Sequence, residues 1–165
     1  MSQITFKGNP VQTEGTLPSV GSNAPAFKLV NTELKEITLN DFKGKRVVLN
    51  IFPSIDTGIC AASARKFNEL ASSMENTVIL NVSKDLPFAH NRFCAAEGLK
   101  NVHGASEFKD HEFSKSYGVD MIDGPLSGLM SRAVVIIDES GVVKYTEQVP
   151  EIAQEPNYES AMKAL

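Results

Sequence analysis

The sequence predicts an α/β domain: a mixed central sheet flanked by helices, with an N-terminal β-hairpin ahead of it. Three observations point there. Two apolar runs, Val47–Phe52 and Thr77–Val82, read as strands with almost no polar alternation, as expected where both faces of a sheet are covered. Each run is followed by a helical pattern. Near the end, Ala133–Ile137 and Val142–Val149 flank the turn Asp138-Glu139-Ser140-Gly141, which makes an antiparallel pair.

The elements follow in order. Ile4–Lys7 and Pro10–Thr13 form the small hairpin, with Gly8-Asn9 as the turn. Leu17 to Pro25 is a Pro/Gly/Ser connector, and Phe27–Val30 alternates like a half-buried strand. Leu39–Phe42 makes one helical turn ending at Gly44. After the first buried strand, a helix runs from Cys60 to about Met74. Cys60, Ala64, Phe67 and Ala71 stand at i, i+4, i+7 and i+11 and form its buried face. After the second, Leu86-Pro87 opens a helix with proline near its first position, and Gly98 ends it. His111–Tyr117 is a short helix stopped by Gly118, and Pro156–Leu165 is a final helix. This order is that of a thioredoxin-like fold, and residues 1–165 form a single domain.

Composition narrows the function classes. The chain is 42% hydrophobic and 22% charged, as in ordinary globular proteins. Its net charge of -4 argues against nucleic acid or an anionic membrane surface as a main partner. The one tight basic group, Lys43-Gly44-Lys45-Arg46, reads as a solvated turn before a strand. No apolar run approaches the ~18 residues of a membrane span, and Met1–Lys7 lacks a secretory pattern. The expectation is a cytoplasmic protein, in a reducing compartment where two cysteines are redox-active or inert rather than a permanent staple. His90, His103 and His111 have no metal-ligand spacing and read as surface residues. No phosphate-cradling glycine loop is present, so no cofactor is implied.

The chemistry concentrates at Pro53-Ser54-Ile55-Asp56-Thr57-Gly58-Ile59-Cys60, between a buried strand and a helix. A cysteine in the first turn of a helix meets unpaired backbone N–H groups and the positive end of the dipole, which favour the reactive thiolate. Cys60 also lies on the apolar face of its helix, so it reads equally as a small buried hydrophobe. Pro53 shapes the turn by its fixed φ. Thr57 is placed to cap the helix or to hydrogen-bond a group at the sulfur. Asp56 supplies negative charge near the helix start. Arg132, just before the strand Ala133–Ile137, is an edge charge or a pocket residue. Met121, Leu126, Leu129 and Met130 form an apolar stretch near it that is pocket lining, core or oligomer surface.

Pro53-x-x-x-Thr57-x-x-Cys60 resembles the active-site motif of the peroxiredoxins. The longer string Asn50–Cys60 is similar to their bacterial thiol peroxidase branch. So are Asp85–Ala89, Arg92–Gly98, Gly124-Pro125-Leu126-x-Gly128-Leu129 and Ser131–Val134, in order across the whole chain. The resemblance implies a peroxidase for hydrogen peroxide and organic hydroperoxides, with Cys60 peroxidatic and Cys94 resolving. It makes Thr57, Pro53 and Arg132 pocket residues. It also implies an intrachain Cys60–Cys94 disulfide, thioredoxin as reductant and a homodimer. A disulfide needs Cα atoms within about 7 Å. Two cysteines on separate helices would then have to meet by local unwinding. Two other classes remain in view. A thioredoxin-like disulfide reductase normally has C-x-x-C, but Cys60 is followed by Ala61-Ala62-Ser63. An oxidation sensor, or a domain with inert thiols, would not turn over peroxide.

Overall fold

The computed structural model describes residues 1–165. Nine strands and four α-helices follow the predicted order. β1 (Gln3–Phe6) and β2 (Asn9–Gln12) form the N-terminal hairpin; β3 (Lys28–Asn31) and β4 (Glu36–Thr38) follow. Then come β5 (Arg46–Ile51), α1 (Gly58–Leu70), β6 (Thr77–Ser83), α2 (Pro87–Glu97) and β7 (His103–Ser106). The chain continues with α3 (Glu112–Ser116), β8 (Ala133–Ile137), β9 (Val143–Gln148) and α4 (Tyr158–Lys163).

Seven strands make one sheet in the order β4-β3-β7-β6-β5-β8-β9. β5, β6 and β7 run parallel, and the outer pairs are antiparallel. The parallel centre explains why β5 and β6 read as apolar runs. Leu49, Ile51, Leu80 and Val82 pack on one face with Phe27, Phe113 and Tyr117. Val48 and Ile79 pack on the other with Phe67, Val102 and Ala161. Asn50 is the polar exception. Its Nδ2 donates to Asn81 Oδ1 across the β5–β6 pair (3.0 Å) and to Ser63 Oγ on α1 (3.3 Å), while its Oδ1 is buried without a partner.

Several boundaries moved, for local reasons. The hairpin turns at Lys7-Gly8, one residue earlier than predicted. Both residues have positive φ, the type I′ geometry that matches strand twist. α1 begins at Gly58 rather than Cys60, and its C-terminal end tightens into a 3₁₀ turn over Ala71–Ser73. α4 is shorter than predicted and starts behind Asn157, whose side chain accepts from Ser160 N at 3.0 Å. β4 and β7 were not anticipated. β7 reads His-Gly-Ala-Ser, with no β-branched residue, and is a strand because β6 and β3 pair with it.

The histidine expectation needs one correction. His103 and His111 are exposed, but His90 is 1% exposed. α2 lies close to β7 at Gly104, and a Cβ on Gly104 would come within 2.4 Å of His90 Cβ. Replacing Gly104 by Ala therefore forces α2 off the sheet. The expected loss is about 1–3 kcal/mol, the usual cost of overpacking, read as a lowered urea midpoint with an unchanged m-value.

Candidate active site around Cys60

β5 ends at Ile51, and the chain then makes the loop Pro53–Thr57 before α1. The loop is closed on itself by Thr57 N–H donating to Ser54 O (3.2 Å) and Thr57 Oγ1–H donating to the same carbonyl (3.0 Å). Thr57 is the N-cap by position, but its side chain makes no capping bond. The first intrahelical bond runs from Ala61 N to Thr57 O. The N–H groups of Gly58, Ile59 and Cys60 thus stay unpaired, as at any helix start. Cys60 is the third residue of α1 and is fully buried among Phe52, Ile55 and Ala64. Its carbonyl accepts from Ser63 Oγ at 2.9 Å.

Arg132 comes to this sulfur from the start of β8, the strand paired directly with β5, where Ala133 stands opposite Ile51. Its Nη2 donates to Cys60 Sγ at 3.4 Å and its Nε to Ile152 O at 2.8 Å. The residue is 2% exposed, and Nη1 has no hydrogen-bond partner. A buried guanidinium of this kind stabilises a thiolate and keeps one donor for a second acceptor. The Ile152 carbonyl is itself held by the N-terminal hairpin. Thr5 N donates to Pro150 O (2.8 Å), and Ile152 N donates to Thr5 O (2.9 Å). Ile4, Val11, Met121 and Ile152 form a small core beneath. Met121 and Met130 are thus core residues, with Leu126 and Leu129 half-buried against the hairpin cluster.

Pro53 is buried at the loop start, and Thr57 is exposed with its hydroxyl on Ser54. Asp56 stands directly ahead of Thr57, the N-cap of α1. It is exposed and pairs with Arg92 Nη2 of α2 at 2.6 Å. The loop is held by a residue that the sequence marks only as the first of the Asp85–Ala89 block, with no role of its own. Asp85, in the turn before α2, accepts from Ser54 Oγ (2.8 Å), Ile55 N (2.7 Å) and Ser83 Oγ (2.5 Å). The short Asp85-Leu86-Pro87 connection just after a strand end was the available sign.

Cys94 is on α2, half-buried, and both cysteines are free thiols. Ala89 and Phe93, not Cys94, pack against the cluster around Cys60. α2 is tied to α1 by the two-pronged Arg65–Glu97 pair, both contacts 2.9 Å, and by Arg65 over the Phe93 ring at 5.6 Å. Burial pushes the Cys94 thiol up.

A Redoxin family model matches residues 19–162. The chain is 56% identical to a thiol peroxidase of Mycobacterium tuberculosis and 52% identical to one of Corynebacterium glutamicum. Each match covers 100% of this chain and 99% of the relative. Among solved structures, a peroxiredoxin-like protein from Aquifex aeolicus superposes with a TM-score of 0.92 at 39% identity, over 99% of this chain and 95% of that one. A thiol peroxidase from Chromobacterium violaceum, 22% identical, shares the fold with a TM-score of 0.91, over 99% and 95% of the two chains.

The raised Cys94 thiol has a direct signature. Below its folded value the group is protonated and slow to alkylate, so its reaction with iodoacetamide should rise with pH through a midpoint above the ordinary thiol value. Mass mapping of Cys94 labelling across a pH series checks this; a midpoint at or below the ordinary value contradicts it.

Proposed function

The chain belongs to the redoxin family, as a thiol peroxidase that reduces peroxides, and from that premise we propose that Cys60 is the peroxidatic thiol and Cys94 the resolving one. The observation that carries the assignment is the Cys60 Sγ–Arg132 Nη2 contact at 3.4 Å, with Arg132 Nη1 buried and unpartnered. The Cys60 thiolate attacks the distal peroxide oxygen. An S–O bond forms, the O–O bond breaks, and the leaving alkoxide or hydroxide takes a proton, giving alcohol or water. Arg132 Nη1 and the free N–H groups at the start of α1 are donors for the oxygen that gains charge. Pro53 shapes the loop, and the Thr57 hydroxyl, held on the Ser54 carbonyl in this structure, is the loop's side-chain donor for a bound peroxide.

The sulfenic acid on Cys60 is then attacked by the Cys94 thiolate. The S–S bond forms, the S–O bond breaks, and water leaves. Phe93 and Ala89 occupy the Cys60 side of α2, so this step requires α2 to leave its place. The ties that hold it, Arg65–Glu97 and Arg92–Asp56, are exposed ion pairs of the weak kind. A dithiol of the thioredoxin type returns both thiols by exchange. The reading includes a cytoplasmic setting and a homodimer. Leu86, Phe88 and Phe108 are exposed apolar side chains on segments linked by the Ser106–Asp85 bond, a surface suited to a second copy.

One equivalent of cumene hydroperoxide added to reduced protein should remove two hydrogens and both thiols without a covalent dimer. Cys94→Ser should instead gain one oxygen, and Cys60→Ser should not react. An unreactive wild type would end the peroxidatic assignment, and a wild type that only gains oxygen would end the resolving role of Cys94. Arg132→Lys keeps the charge but loses the fork between Ile152 O and Cys60. It should slow the peroxide step by about 10²–10³, the usual cost of one positioned charge-stabilising donor, as read by stopped flow. Hydrogen exchange in residues 57–64 and 87–97 should be faster in the oxidised protein; equal protection in both states would exclude α2 opening.

A further inference from the structure

We propose that Asp85 is a positioning residue for the peroxide step, holding the Pro53–Thr57 loop in its reactive shape as the end of a buried relay that runs His90–Ser83–Asp85. This rests on the peroxidatic reading of Cys60 and adds a part of the site outside the Pro-Thr-Cys-Arg set.

The relay is read from its donors and acceptors. Asp85 is a carboxylate whose oxygens accept three bonds: Ser54 Oγ at 2.8 Å, Ile55 N at 2.7 Å and Ser83 Oγ at 2.5 Å. Ser83 has one hydroxyl proton, and the short bond to the carboxylate uses it. Ser83 Oγ therefore accepts from Asp85 N (3.1 Å) and from His90 Nε2 (3.0 Å), which must carry the ring proton. Burial pushes the His90 imidazole down, against the opposing pull of Asp85 and Asp56, which fits a neutral ring. Ser83 is fully buried and His90 is 1% exposed, so water does not substitute for these contacts. Gly104 leaves the room His90 needs.

The three residue types of a hydrolytic triad are present, but serine is in the middle and accepts from the histidine. No activated hydroxyl results, and the arrangement serves to orient a carboxylate. What the carboxylate orients is the loop. Ile55 and Ser54 lie between Pro53 and Thr57, and Thr57 closes the loop on the Ser54 carbonyl. Two of the three Asp85 bonds thus fix the residue to which Thr57 is tied and the one after it. Displacement of a reacting group by an ångström costs about 10²-fold in rate, so a loop released from Asp85 loses peroxide reactivity while Arg132 and the start of α1 remain in place.

The test compares two reactions of one sulfur. Asp85→Asn keeps the shape but turns an amide N–H₂ toward loop donors. Ser54→Ala removes the bond to Asp85 Oδ1 and the one Ser54 Oγ accepts from Asp56 N (3.2 Å), at a half-buried position, leaves Ile55 N on Asp85, and guards against a failure of the first variant to fold. Each variant is reacted with cumene hydroperoxide by stopped flow and, separately, with iodoacetamide, which needs the Cys60 thiolate and a way to it but has no peroxide oxygens to be positioned. The expected result is a 10- to 100-fold fall in the peroxide rate constant for Asp85→Asn. Ser54→Ala should show a smaller fall, and Cys60 alkylation should be unchanged in both. Wild-type peroxide rates in both variants would overturn the proposal, as would peroxide and alkylation rates that change in parallel, the mark of general disruption. A wild type inert to peroxide would instead remove the peroxidatic reading itself, and this proposal with it.

Discussion

The arrangement depends on a guanidinium buried beside a sulfur. Taking Arg132 out of water is costly unless its donors are met. Nε is met by Ile152 O and Nη2 by Cys60 Sγ, and Nη1 is left over. As a contribution to stability alone this is a poor use of a buried charge. It makes sense where the sulfur is anionic and where an oxygen comes to the remaining donor. Much of the surrounding structure can be understood as what holds this pair. β8 begins beside Arg132, the Gln148 side chain and Val149 N hold its backbone carbonyl, and the 150–152 segment supplies the acceptor that aims its side chain.

The second constraint is that the same helix serves two opposed needs. α2 brings His90 against the sheet in the reduced protein, and it carries Cys94, which the proposed resolving step requires to travel. The two residues are one helical turn apart. Tight docking is at the N-terminal end, through His90 in the space over Gly104. The C-terminal end is held by exposed ion pairs and by Phe93, half-buried under Arg65. The strength of attachment thus grades along α2 from firm to loose, and the thiol is on the loose half.

This gradation also accounts for what was legible in the sequence. The central strands were readable because burial on both faces removes polar alternation. The loop was readable because proline, threonine and cysteine at that spacing have few other uses. Cys60 stood out on those grounds, whereas Arg132 entered as a pocket residue only through the family resemblance, its sequence context alone reading equally as an edge charge. His90 was misread because α2 has no consistent apolar face to mark it. Phe88, which ought to define such a face, is 65% exposed, while the histidine two residues later is buried. What buries His90 is a glycine on a strand that itself lacks strand-forming residues, and no local pattern records that. Asp85 escaped notice because an aspartate before Leu-Pro reads as an ordinary turn residue. Its loop partners, Ser54 and Ile55, are 31 and 30 residues away in sequence, and the β5–β6 pairing brings them near.

The clasp between Thr5 and Pro150–Ile152 has a bearing on biosynthesis. It joins segments nearly the whole chain apart, and such long-range contacts form late because loop closure must precede them. A ribosome releases α1 and the Cys60 loop long before residues 150–152 emerge. Until those residues dock on the hairpin, Arg132 has no acceptor for Nε and no fixed aim at the sulfur. An incomplete chain therefore carries the Cys60 thiol without the guanidinium that stands beside it in the finished fold. The Cys60–Arg132 pair is thus assembled only when the fold is complete.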